Sequence, residues 1–146
     1  KKQMPSSIDI DIAFVIDVTG SMAPFAHSAG TSITSVLEGP DSIREKLQSQ
    51  FPDIEFRLRM SLMGYRDIDD GAHRFLESTW QVGKHFTDNN QAFKKEITSV
   101  LGNPSGGSDI AEDHLGAINR CSMWNAQDDW TSQIKFMIML TDAPAH

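Results

Sequence analysis

Residues 9–22 read DIDIAFVIDVTGSM, and this stretch decides the fold. It begins with alternation and becomes wholly apolar over IAFVI. A short unbroken apolar run bounded by polar residues is the mark of a strand buried on both faces, as in the centre of a parallel sheet. The strand ends on Asp17. Thr19 and Ser21 follow at alternate positions, and Met22, Phe25, Ala26, Ala29, Ile33, Val36 and Leu37 then recur at three and four, one apolar helical stripe. Pro24 falls in the first turn, where its missing N–H does no harm. A strand, a turn rich in oxygen donors and a helix therefore follow one another within thirty residues.

Outward from this unit the same alternation continues. Gly39–Pro40 breaks the helix, and Ser42 with Glu45 has the spacing of a capping box for a second one, with Ile43, Leu47 and Phe51 inside. Phe56, Leu58, Met60 and Leu62 alternate with Glu55, Arg57, Arg59 and Ser61, which predicts a strand with one polar face. After the turn DIDDGAH, residues 73–82 predict an antiparallel partner strand at the edge. A helix from about Asp88 carries Phe93, Ile97, Val100 and Leu101 inward. GNPSGG ends it, and a further helix has Ala111, Leu115 and Ile118 at helical spacing. IKFMIML then predicts a second fully apolar strand, which stops at TDAPAH. The order β, α, β, β, α, α, β predicts an α/β fold. It is doubly wound, with a mostly parallel central sheet, helices on both faces and one antiparallel edge strand.

Composition narrows the function. The 146 residues suit a single domain, and 39% hydrophobic with 23% charged residues suits a soluble globular one. A net charge of -7 argues against nucleic-acid binding and favours cations or basic surfaces. No apolar stretch has transmembrane length, so no membrane insertion is expected. The single cysteine, Cys121, forms no internal disulfide. That points to a reducing, intracellular, cytoplasmic setting and to a packed thiol rather than a reactive one. No two of His27, His73, His85, His114 and His146 stand at zinc spacing. Of Trp80, Trp124 and Trp130, at least two are expected to pack in the core or at its edge.

In open parallel sheets the functional crevice lies at the carboxyl ends of the strands. FVID delivers Asp17 there and IMLTD delivers Asp142, while GGSD, residues 106–109, opens a helix that can reach the same rim. Clustered carboxylates repel one another unless a cation compensates. Oxygen donors without Cys or His suit Mg²⁺, Mn²⁺ or Ca²⁺ rather than zinc. Simpler readings stand beside this one. Ser21 alone is explained by helix capping, worth about 1 kcal/mol, Asp109 by a capping box with Glu112, and Asp142 by a strand-end turn. RDIDD, with Asp67, Asp69 and Asp70, reads as a solvated turn, since it lacks the EF-hand frame. GNPSGG lacks the lysine of a phosphate-binding loop.

The Asp-x-Thr-x-Ser run after the first strand, the Gly-Gly loop with a hydroxyl and the aspartate closing a later strand resemble the von Willebrand factor A domain. In finer detail, GYRDIDD, GGSDIAEDHLGAI and TDAPAH resemble the A-type domains found with alpha-kinases in intracellular proteins. The resemblance implies a metal-ion-dependent adhesion site on a Rossmann-like fold. Thr19 and Ser21 would coordinate directly, and Asp17 and Asp142 largely through water. Ser108, or Asp109 in its place, would supply the third loop. Gly20, Met22, Gly107, Asp109, Arg66 and Asp67 would form the rim. It implies a binding module rather than an enzyme, with Mg²⁺, Mn²⁺ or Ca²⁺ accepting an Asp or Glu of a protein partner. Domains of that family continue beyond the last aspartate, so residues 1–146 would be a C-terminally incomplete one. Two alternatives remain: a scaffold in a large assembly with a structural or absent metal, and an α/β phosphohydrolase using Asp17.

Overall fold

The computed structural model describes residues 6–66, 75–80, 84–102, 114–124 and 130–141. Strand β1 (Ser7–Asp17) is followed by a 3-10 turn (Gly20–Phe25) and helix α1 (Ala26–Leu37). Helix α2 (Ile43–Gln50), strands β2 (Glu55–Tyr65) and β3 (Phe75–Glu77), helices α3 (Asn90–Leu101) and α4 (His114–Ser122) and strand β4 (Ile134–Leu140) complete the order. The sheet order is β3-β2-β1-β4. β1 is parallel to both neighbours and only β3 runs antiparallel. The expected α/β fold with a mostly parallel sheet is therefore the one observed.

β1 is central because both of its faces are apolar. Ile10, Ile12, Phe14 and Ile16 face one side, where Ala29, Ile33 and Leu37 of α1 and Phe93, Ile97 and Leu101 of α3 cover them. Ala13 and Val15 face the other, against Met63, Tyr65, Phe86, Ala117, Cys121, Trp124 and Trp130. Helices thus lie on both faces. Gly39 breaks the chain after α1 with φ 96°, a left-handed conformation that glycine takes without steric cost. Trp124 and Trp130 pack in the core, and Trp80 packs at its margin beside Phe93, at 5.9 Å between ring centroids.

Several local expectations are corrected. β4 is not buried on both faces: Phe136 is 48% and Met137 37% exposed. Its apolar run is that of a central strand, but it is outermost in the described sheet, a place that hydropathy does not encode. β2 has a polar face only in its first half. Ser61 is fully buried, because the chain that follows β3 and the α4 layer cover the second half. β3 spans three residues, not the expected 73–82 (residues 73, 74, 81 and 82 lie outside the described set). The edge of β2 is instead met piecewise. Ser78 donates its N–H to the Leu62 carbonyl at 3.1 Å, and Met60 and Thr87 exchange backbone hydrogen bonds of 2.7 and 2.8 Å. Short segments of this kind leave little regular edge for another chain to pair with.

Phe25 is half exposed and not part of the α1 stripe. It belongs to the 3-10 turn, whose three residues per turn put it out of phase with the α-helix. Phe51 is exposed as well, since it lies beyond the end of α2. Ser42 caps α2 by accepting from the Glu45 N–H at 3.2 Å, but the Ser42 N–H goes to the Gly39 carbonyl, so only half of the capping box forms. In α4 the buried residues are Ala117 and Cys121, whereas Ile118 faces outward.

Candidate functional site at the carboxyl end of the sheet

Register brings the site together. Asp17 pairs with Tyr65 of β2, and the last pair with β4 is Ile16 with Leu140. The next residues in line, Asp17, Arg66 and Thr141, therefore share the carboxyl end of three adjacent strands. Asp17 is completely buried, Thr19 nearly so, and Arg66 is 8% exposed. Arg66, expected on the rim, adds a buried positive charge at this end.

The Asp17 carboxylate organises the turn after β1. Its Oδ1 accepts the Thr19 N–H at 2.9 Å and the Thr19 hydroxyl at 2.5 Å. The first of these is an Asx turn, in which a side chain replaces a backbone partner two residues on. The Thr19 carbonyl then accepts the Met22 N–H at 3.0 Å and starts the 3-10 turn. Oδ2 accepts the Thr141 hydroxyl at 3.0 Å. An isolated carboxylate at this depth would be costly, and these donors stabilise it.

Of the expected ligands, Asp17 and Thr19 are together. Ser21 lies within the 3-10 turn beside Gly20 and Met22, whereas α1 begins at Ala26 with Phe25 at the cap position and no side-chain cap bond. Met22 is buried in the core under the turn and not open on the rim. Asp67, Gly107, Ser108, Asp109 and Asp142 lie outside the described residues, as do Asp69, Asp70 and Glu112. Among the described residues no three His, Cys, Asp or Glu side chains gather at one point. The donor chemistry present nonetheless fits a hard cation. A threonine hydroxyl has one proton and two lone pairs. With its proton directed to Asp17, the Thr19 oxygen faces other groups as an acceptor. Thr141 was missed in the sequence, where the signal was its hydroxyl next to the strand-end Asp142.

A second buried carboxylate lies six residues earlier. Asp11 accepts from Arg59 Nε and Nη2 at 2.9 and 2.8 Å, from the Thr131 and Ser132 N–H groups at 3.0 and 3.1 Å, and from the Ser132 hydroxyl at 2.5 Å. Burial raises its pKa, but the hydrogen bonds from Arg59 and Ser132 and the Arg59 charge together bring it below the usual value. Arg59 also lies over the Phe86 ring at 5.1 Å. This closed set of partners makes Asp11 a structural group.

Near β3, Glu77 accepts from Trp124 Nε1 at 3.2 Å and pairs with Arg120, while His85 stacks on Trp124 at 4.1 Å between centroids. Burial raises the Glu77 pKa, and the hydrogen bonds and charges of Arg120, Trp124 and His85 lower it further than that. Cys121 is a packed thiol, pushed up to about 12 by burial and, secondarily, by the Glu77 charge. It should stay unmodified by a thiol-specific disulfide reagent in the folded protein at pH 8 and react on unfolding. Rapid labelling without denaturant would contradict this. Because the folded value is raised, the thiol's contribution to stability is intact below its ordinary value near 9 and is lost as pH climbs towards 12.

A groove of about 580 Å³ lies between α1 and α3, and the Glu38–Lys94 pair at 2.6 Å is part of its lining. Its Thr31, Thr34, Ser35 and Thr98 hydroxyls all donate to carbonyls one turn back, so they offer it no hydroxyl proton. No described helix is long and apolar enough to cross a membrane.

No family model matches the chain. It is similar to a protein described as alpha-protein kinase vwkA from Dictyostelium discoideum, with 28% identity over 145 residues, or 99% of this chain. The chain spans 20% of that relative's length.

Proposed function

We propose that this chain is a von Willebrand A-type binding module, not an enzyme, and that it holds a divalent cation at the carboxyl end of its sheet. The observation that carries the reading is the buried Asp17 carboxylate with the Thr19 hydroxyl directed at it, at the end of the central strand. Asp17 orients, and Thr19 presents an oxygen. Ser21, Asp142 and Ser108 or Asp109 are proposed as the other ligands from the sequence resemblance alone. When bound, Mg²⁺ or Mn²⁺ would offer a coordination position to an acidic side chain of a protein partner. The chain's similarity to 20% of the length of an alpha-protein kinase is the support for a module that recruits a partner or substrate within a larger protein.

Calorimetric titration with Mn²⁺ and Mg²⁺ tests this reading. Saturable binding is expected for the wild type, weakened at least 10-fold in Asp17→Ala and in Thr19→Ala. Equal heats from wild type and Asp17→Ala would remove the site. If chelator leaves partner binding intact, the scaffold reading with a structural or absent metal takes its place.

A further inference from the structure

We infer that Thr141 is a positioning residue of the cation site, a role that rests on the metal-binding reading above. The Asp17 carboxylate is held at both oxygens. Thr19 occupies Oδ1 through its amide and hydroxyl, and Thr141 occupies Oδ2 through its hydroxyl at 3.0 Å. A carboxylate only accepts, so the proton of each hydroxyl points to Asp17 and each threonine oxygen turns its lone pairs elsewhere. One carboxylate thereby fixes the orientation of two hydroxyls, one just after β1 and one just after β4.

The placement follows from register. Ile16 and Leu140 are paired neighbours in parallel strands, so Asp17 and Thr141 are the next residues along β1 and β4. Their bond closes the sheet end over a separation of 124 residues. The bond holds the residue after β4 to the last residue of β1. Removing the Thr141 hydroxyl leaves Oδ2 without this partner. Among the described residues only the Thr19 contacts at Oδ1 then fix the carboxylate plane, and the direction it gives the Thr19 hydroxyl is set less tightly. Partners that orient ligands in this way typically matter 10- to 100-fold for metal affinity.

The test compares wild type, Thr141→Val, Thr141→Ser and Asp17→Ala by Mn²⁺ titration, read by calorimetry and by the electron paramagnetic resonance of free Mn²⁺. Thermal unfolding of the metal-free proteins is measured alongside. Valine keeps the shape and removes the hydroxyl. Thr141→Val should bind Mn²⁺ roughly 10-fold or more weakly, and Thr141→Ser should return to near wild-type affinity. A merely structural contact would lower the metal-free melting temperature and leave Mn²⁺ affinity unmoved, which overturns the inference. If wild type binds, Asp17→Ala does not, and Thr141→Val equals wild type, the Thr141 role alone falls. If wild type takes up no Mn²⁺, the metal reading falls and the Thr141 role with it. Should Thr141→Val fail to fold, Thr141→Ala against Thr141→Ser decides by the same comparison.

Discussion

Asp11→Ala lowers the stability of the protein by about 3–5 kcal/mol, the scale on which removal of one partner from a buried ion pair acts. The carboxylate is inaccessible to water, and its Arg59 partner is 29% exposed on the side-chain scale. Alanine would take the Asp11 acceptor away from the guanidinium, two backbone N–H groups and the Ser132 hydroxyl. The loss is spread over three parts of the chain, because Asp11 joins β1 to β2 through Arg59 and to the lead-in of β4 through residues 131 and 132. Urea unfolding checks it, and a fall below 1 kcal/mol would show that Arg59 and Ser132 find other partners. The neighbouring pair, Arg57 with Asp9 at 2.8 Å, is a contrasting control. Both of its side chains are near half exposed, and Asp9→Ala should cost at most about 1 kcal/mol.

The pH dependence has a definite sign. The folded Asp11 pKa is below its unfolded value of 3.8, so its contribution is complete above that value and disappears as pH falls through the folded one. Glu77 acts in the same direction below 4.5. Wild type should therefore lose stability more steeply than Asp11→Asn as the solution is acidified below about pH 4. Parallel curves for the two proteins would contradict the shift.

Phe93→Ala should be comparably severe, about 3–5 kcal/mol, through a cavity between α3 and the sheet. Phe93 is fully buried, with its ring 5.7 Å from that of Phe14 on β1 and 5.9 Å from that of Trp80. Those neighbours come from separate elements and cannot all collapse into the gap. Phe93→Leu keeps most of the buried surface and should cost clearly less. Denaturant unfolding gives the magnitude, and a changed Trp80 emission would place the cavity. A loss under 1 kcal/mol would mean that α3 closes onto the sheet.

The two replacements differ in what the chain reveals beforehand. Phe93 stands in a stripe with Ile97 and Leu101, and helical period alone marks all three as buried. Asp11 stands in an alternating stretch where an aspartate reads as solvated. Nothing near it in the chain announces Arg59, 48 residues on, or Ser132, 121 residues on. The exposed Phe136 and Met137 of β4 make the same point. IKFMIML has the composition of a central strand, yet the sheet order leaves it outermost among the described strands.

At the candidate site the division is sharper. The apolar run into Asp17 and the spacing of Thr19 behind it are local, so the chain by itself determined that a buried strand would deliver a carboxylate and a hydroxyl to one turn. Backbone geometry allows little else, since an aspartate at a strand end reaches the amide two residues on. Strand order is not local. It depends on which apolar faces cover one another, and only the folded sheet set β1 between β2 and β4. That order alone puts Arg66 at the Asp17 end and turns Thr141, unremarked in the sequence, into the partner of Asp17 Oδ2. Hydrogen bonds between residues 124 apart exist only once register is fixed, because register is a property of the pairing and not of either strand.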